Sequence, residues 1–243
     1  AADGLLYPQR SQLCTKTGKG MISVIVPTFN EEEGVEACLK SLCDQTLPRD
    51  QYEIIVVDGN SKDKTREIAE KYADKVFIQT SKKVGGARND GAMAAKYDIL
   101  ATTEADGFLP RDWLEQILAD FAKYPDASTI YGIVYPLEPG IKHKLSLLGY
   151  NIVSRIGYWT GTIYMTLGCN TAFRKDLFVG AGMYITADAG DDFEIARRMK
   201  KYGRVRLDTN LKVGFSMRRY IEFGAIKSIY QWLYIVAHGG SSE

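Results

Sequence analysis

Four short apolar runs separated by amphipathic stretches constrain this chain more than any other feature. Ile22-Ser23-Val24-Ile25-Val26, Tyr52-Glu53-Ile54-Ile55-Val56-Val57, Val76-Phe77-Ile78 and Asp98-Ile99-Leu100-Ala101-Thr102-Thr103 all have strand length. The first is stopped by Pro27 and the second ends at Asp58. Between them Val35, Leu39 and Leu42, then Ile68, Ala69 and Tyr72, recur at helical spacing, and residues 85–96 read as an Ala-rich helix. Such alternation with short connections predicts an α/β fold, a mostly parallel central sheet with helices on both faces. At 243 residues the chain fits one large domain with a sizeable core.

The second half is less regular. Trp113, Ile117, Leu118 and Phe121 mark a helix, residues 129–135 a strand, and residues 141–159 an amphipathic segment. Ile195, Met199 and Tyr202 share a helix face that Gly203 closes, and a last helical pattern runs over about residues 222–236. Residues 1–20 lack either periodicity and read as a loosely ordered lead-in. Residues 239–243 read as a flexible end.

Composition excludes several functions. Lys and Arg number 31 against 30 Asp and Glu, so nothing draws the chain to nucleic acid in general. With only His143 and His238, a histidine-based metal centre or triad is disfavoured. Cys38 and Cys43 lie on a half-apolar helical stretch and read as buried thiols rather than a disulfide pair. No apolar run reaches the roughly 18–20 residues that span a bilayer.

Polar groups cluster where the strand signals end. Glu104-Ala105-Asp106 puts two carboxylates one residue apart at the carboxyl edge of the sheet, where open α/β sheets bind ligands. Hard oxygen ligands of this kind suit Mg²⁺ or Mn²⁺ bridged to substrate phosphates. Pro27-Thr28-Phe29-Asn30-Glu31 and Asp58-Gly59-Asn60-Ser61 reach the same edge. Asp58 reads either as an acceptor for a base or ribose, or as a turn aspartate before the next helix. Gly85-Gly86 between Lys83 and Arg88 opens a helix whose N–H groups and dipole suit a diphosphate, or else marks a tight turn. Asp191-Asp192 after Gly190 is either chemistry or a charge complement to a helix N-terminus.

As an ordered set, ISVIVPTFNEEEGVEACLKSL, YEIIVVDGNSKDKT, GGARNDGAMAA and DILATTEAD resemble the nucleotide-sugar-binding half of inverting family-2 glycosyltransferases, which have the GT-A fold. The likeness continues through Gly168-Cys169-Asn170-Thr171-Ala172-Phe173-Arg174 and Gly190-Asp191-Asp192-Phe193-Glu194, covering about residues 21–219. It implies a nucleotide-binding half over 21–106, an acceptor half over 107–219 and a C-terminal amphipathic helix over 220–243.

The resemblance also implies site roles. Pro27, Thr28, Phe29, Glu31, Asp58, Lys83, Arg88, Glu104 and Ala105 hold a GDP- or UDP-linked sugar, and Asp106 with Glu104 holds Mg²⁺ or Mn²⁺. Gly168, Asn170 and Asp191 meet the donor sugar. Arg218, Arg219 and Trp232 meet the diphosphate or the acceptor. Asp192 acts as general base, with Asp191 the other candidate because the two are adjacent. Three departures stand out: Glu104 replaces the usual first Asp, Asp191 replaces the usual Glu, and Val213-Gly214-Phe215-Ser216 lacks the His that often touches the metal.

The acceptor implied is a glycan or lipid-linked hydroxyl. Ile141, Leu145, Leu148, Ile152 and Ile156 fall on one helical face with Lys142, His143, Lys144 and Arg155 off it, near Tyr150, Tyr158 and Trp159. Ile226, Ile229, Leu233 and Val236 repeat the pattern. Either both stripes pack on the sheet or they lie in a headgroup region. Together with the resemblance they suggest work at the cytoplasmic face of the cell membrane, peripherally or through a segment outside this chain. Competing readings are a polyprenyl-phosphate glycosyltransferase, a nucleotidyltransferase and a non-catalytic nucleotide-sugar-binding module. A dinucleotide-dependent oxidoreductase would need Gly-x-Gly-x-x-Gly where this chain has Pro27-Thr28-Phe29-Asn30-Glu31.

Overall fold

The computed structural model describes residues 21–187, 190–218 and 221. Its first half supplies β1 (Ile22–Thr28), α1 (Val35–Cys43), β2 (Tyr52–Asp58), α2 (Thr65–Ala69), β3 (Lys75–Ile78), α3 (Lys83–Ala94) and β4 (Ile99–Thr102). The second half adds α4 (Trp113–Lys123), β5 (Ala127–Pro136), α5 (Ile141–Thr160), β6 (Thr171–Arg174), α6 (Lys175–Gly180), α7 (Asp191–Met199) and β7 (Arg204–Phe215). The strands form one sheet in the order β3-β2-β1-β4-β6-β5-β7. Neighbours are parallel except at β6, which runs antiparallel between β4 and β5.

Both faces of this sheet are covered, as the alternation predicts. Ile22, Val24 and Val26 of β1 pack with Val35 and Leu39 of α1 and Trp113 and Ile117 of α4. Ile25, pointing the other way, packs with Ala87 of α3, Phe178 of α6 and Ile195 of α7. A side chain period of two sends alternate residues of one strand to opposite cores. Each fully buried branched side chain contributes about 1.5–3 kcal/mol, so these central strands anchor the edge that carries the polar loops.

Pro27 does not end β1, which continues to Thr28. The Ile25 carbonyl accepts the Thr103 N–H at 3.2 Å, so Ile25, and Pro27 two residues on, face β4. Pairing with β4 stops at Ile25 and Thr102, so the N–H that proline lacks falls where no ladder exists. The strands β6 and β7 gave no clear periodic signal. The first is four residues long, and the second is an edge strand of mixed polarity whose pairing with β5 is broken by two register shifts.

The apolar stripe of α5 faces outward. Ile141 is 69% exposed, Trp159 is 86% exposed, and Leu145, Leu148, Ile152 and Ile156 are exposed with them. The buried face carries Leu147, Ser154 and Gly157. Beside them Asn151 pairs with the Val134 N–H at 3.2 Å and the Val134 carbonyl at 2.8 Å. The face this helix turns to the protein is narrow and mixed in character, and most of its large apolar side chains lie on the exposed remainder. The lead-in over residues 1–20, Arg219, Trp232 and the stripe over residues 222–236 lie outside the described residues.

Candidate active site

The carboxyl ends of β1, β2 and β4 meet the start of α3, the start of α7 and the turn before β6 along one rim of the sheet. A cleft of roughly 860 Å³ opens there, lined by Phe29, Glu31, Gly59, Gln79, Lys83 and Arg218 among others.

The loop after β2 folds around its own carboxylate. Asp58 is fully buried. It accepts from the Ser61 N–H at 2.8 Å, the Ser61 hydroxyl at 2.5 Å and the Thr28 hydroxyl at 3.1 Å. This is the turn-aspartate arrangement, and the Asp58 oxygens hold the loops after β1 and β2 together.

The three residues Arg88, Asn89 and Asp90 of α3 each serve a different segment. Asp90 accepts from the Thr80 and Ser81 N–H groups at 2.5 and 3.0 Å and from the Ser81 hydroxyl at 2.7 Å, fixing the loop that enters the helix. Asn89 clamps Tyr184, accepting its N–H at 2.9 Å and donating to its carbonyl at 2.8 Å. Arg88, only 2% exposed, reaches the acidic residues. Its Nη1 lies 3.5 Å from Asp192 and 3.6 Å from Asp191, and its Nη2 lies 3.8 Å from Glu104. The Tyr184 ring lies beneath it, 5.4 Å away.

Burial works against the Arg88 charge, but the surrounding groups, Asp192 foremost, more than offset this and hold its pKa above the ordinary value. Arg88 thus ties Glu104 to the acid pair, two features far apart in the sequence. Gly168 belongs to the same arrangement: a Cβ there would stand 1.8 Å from Arg88 Nη2, so only glycine lets the guanidinium cross. Asn170, expected at the donor sugar, is instead a core residue. It is fully buried, accepts from the Trp113 indole at 2.9 Å and donates to the Ile133 and Leu211 carbonyls at 3.0 Å each.

The acid pair opens α7. Burial, then the Asp192 charge, push the Asp191 carboxyl up to about 7, against the pull of Arg88. Asp191 Oδ2 makes no hydrogen bond among the described residues and faces the Gly85 backbone. Asp192 is 19% exposed at its side chain, and its carbonyl accepts the Thr166 hydroxyl at 2.6 Å. Of the two, Asp192 therefore has both solvent access and a fixed backbone. Tyr184 lies in no periodic element, and Thr166 stands two residues before Gly168 without belonging to that stretch, so neither is marked in the sequence.

Glu104 sits at the other end of the Arg88 bridge, with Asp106 two residues on. Past β7, Glu138 accepts from the Ser216 hydroxyl at 2.9 Å and the Met217 N–H at 2.7 Å. That turn aims Arg218 at the acidic rim, where it pairs with Glu31, lies 3.3 Å from Glu33 and lies 3.7 Å from Asp106.

No group of three His, Cys, Asp or Glu among the described residues converges on one point. A caged structural ion does not fit this site. An ion that takes one or two carboxylates and completes its shell with water and phosphate does, and Asp106 with Glu104 would supply those oxygens.

Comparison with known proteins follows the same outline. The model of the family described as glycosyl transferase family 2 matches residues 23–180. Glycosyltransferase AglE of Haloferax volcanii is 37% identical over 101 residues, covering 39% of this chain and 33% of that protein. A Methanococcus voltae dolichyl N-acetyl-alpha-D-glucosaminyl phosphate 3-beta-D-2,3-diacetamido-2,3-dideoxy-beta-D-glucuronosyltransferase is 23% identical over 238 residues, covering 86% of this chain and 73% of that protein. Among solved structures, mannosyltransferase PcManGT from Pyrobaculum calidifontis, in complex with GDP-Man and Mn²⁺, superposes with a TM-score of 0.66 at 23% identity. That match covers 82% of this chain and 57% of that one. TarS 1–349 of S. aureus, in complex with UDP-GlcNAc, gives 0.63 at 20% identity, covering 81% and 58%.

Proposed function

The chain belongs to glycosyl transferase family 2, and from that premise we propose that it moves a sugar from a nucleoside-diphosphate donor to a hydroxyl acceptor with inversion. One observation carries this reading. A single buried guanidinium, Arg88, spans the carboxylate Glu104 beside the diphosphate end and the acid pair at the acceptor end.

In this reading the donor diphosphate lies over the first turn of α3, where backbone N–H groups, the helix dipole and Lys83 favour negative charge. Mg²⁺ or Mn²⁺ at Asp106 and Glu104 would supply further positive charge to the departing diphosphate. The acceptor oxygen forms a bond to the anomeric carbon as the bond to the diphosphate oxygen breaks, and that electron pair leaves with the diphosphate. The acceptor proton passes to Asp192. Asp191, holding a proton up to about pH 7, spares Asp192 a second full negative charge alongside it. Arg88 keeps Asp192 oriented.

We place the acceptor on a lipid carrier at the cytoplasmic membrane surface. What supports this is α5, whose exposed face is Ile141, Leu145, Leu148, Ile152, Ile156 and Trp159. Its charged residues, Lys142, Lys144 and Arg155, are all basic, and the helix has no acidic residue. Apolar side chains flanked by cations fit an anionic headgroup layer. No helix among the described residues is long and apolar enough to cross a membrane; the contact proposed is that of the α5 face, peripherally or beside a segment outside this chain. Turnover of UDP- and GDP-sugars by wild type and by Asp192→Asn tests the reaction. Co-sedimentation with anionic liposomes tests the surface.

A further inference from the structure

A cation of the protein's own stands at the acidic rim. Arg218 lines the cleft, where its Nη2 pairs with Glu31 and lies 3.7 Å from Asp106, and its Nη1 lies 3.3 Å from Glu33. The fold holds these acids in place. The side chains of Glu31 and Asp106 are only 5% and 10% exposed. The loop that carries Glu31 and Glu33 lies directly on Asp106, since a Cβ at Gly34 would stand 3.0 Å from the Asp106 Cβ. The Glu31 N–H donates to the Thr65 hydroxyl at 2.8 Å, and its carbonyl accepts the Gly34 and Val35 N–H groups at 3.1 and 2.9 Å.

The guanidinium is fixed from the other side. Met217, the residue before it, is buried with Val134, Leu147 and Cys169, and the Arg218 N–H donates to the Ser216 hydroxyl at 3.3 Å. Charges this little exposed are weakly screened by salt, and like charges a few ångströms apart oppose one another. A divalent ion on the Asp106 carboxylate would therefore stand beside a full positive charge. A diphosphate reverses the sign of that effect. Its oxygens attract the ion, and they also suit the planar fork of an arginine.

We infer that Arg218 couples the cation to the nucleotide, opposing a divalent ion bound to the protein alone and favouring one that arrives with the donor diphosphate. The inference rests on the proposed nucleotide-sugar chemistry and adds an order of assembly to it. The ligand of the cleft is the ion–diphosphate complex rather than the free ion. Such coupling is reciprocal: the ion raises affinity for the nucleotide by the factor that the nucleotide raises affinity for the ion.

Calorimetric titration of the full chain is the test, with Mn²⁺ alone and with preformed Mn²⁺–UDP and Mn²⁺–GDP, on wild type, Arg218→Met and Arg218→Lys. Arg218→Met is expected to bind Mn²⁺ alone roughly tenfold more tightly than wild type and to bind the preferred preformed complex roughly tenfold less tightly. That is a modest share of what a unit charge a few ångströms away can do. Adding Asp106→Asn to Arg218→Met should remove the gain for Mn²⁺, and Arg218→Lys, which keeps the charge, should stay near wild type. The melting temperature verifies folding. If Arg218→Met melts early, Arg218→Gln, which keeps a donor for Glu31, serves in the same titrations. Opposite changes for ion and complex are required, since the loss of a merely structural contact would weaken both. A variant that binds Mn²⁺ alone no more tightly, or the complex no more weakly, overturns the coupling and leaves the glycosyltransferase reading intact. Failure of wild type and variants to take Mn²⁺ in any form overturns the coupling together with the cation assignment.

Discussion

The Arg88 guanidinium lies 3.5 Å from the Asp192 carboxylate, across 104 positions of sequence. Because that guanidinium also faces Glu104, the charge state at one end of the site is felt at the other. In a region shielded from water such coupling is stronger than at the surface.

Replacing Asp192 by Asn should lower turnover by roughly two orders of magnitude or more, the usual contribution of a general base, with donor affinity nearly unchanged. Single-turnover kinetics beside a donor titration separates the two. Near-normal turnover would shift the role to Asp191, or point to a phosphate acceptor that is already ionised.

Arg88→Met should destabilise the fold by about 3–5 kcal/mol, because it leaves buried carboxylates without their counter-charge. The denaturation midpoint reports this, and Arg88→Lys should recover part of it. A variant as stable as wild type contradicts the bridging geometry.

Asp191 gives a pH signature. Its folded pKa, about 7, is raised above that of an unfolded Asp, so the stability it adds is fully present below the unfolded value. That contribution is lost as pH rises from about 4 through about 7. Asp191→Asn, which cannot ionise, should flatten the melting temperature over that interval. If wild type and variant share one slope, the carboxyl is not perturbed.

Chelation should weaken nucleoside-diphosphate binding, and Asp106→Asn should reproduce the effect without chelator. Calorimetry in Mn²⁺ and in EDTA checks both. Equal affinity in the two buffers removes the cation from the scheme.

Leu148→Glu with Ile152→Glu should abolish liposome co-sedimentation while leaving the melting temperature within a degree or so, since exposed positions contribute little to folding. A sharp loss of stability would mean that α5 packs on protein instead.

The sequence carried the framework because strands buried on both faces are continuous apolar runs, and β1, β2 and β4 are of that kind. The edge strand β7 hid because mixed polarity and bulges erase any period. Site residues were legible as a set of types, Glu104, Asp106, Asp191 and Asp192 above all. Their partners were not. Asn170 reads in sequence as a loop polar residue, and only the meeting of Trp113, Ile133 and Leu211 around it makes it structural.

The consecutive residues Arg88, Asn89 and Asp90 bear on how this region tolerates changes in length. One residue added or removed between 83 and 87, with the loop before the helix held fixed, turns everything after it by about 100°. All three side chains would leave their partners at once: the acid pair, the Tyr184 backbone and the loop at Thr80 and Ser81. Insertions that the surface could absorb elsewhere should unfold or inactivate the protein here, because the first turns of α3 hold three segments in register.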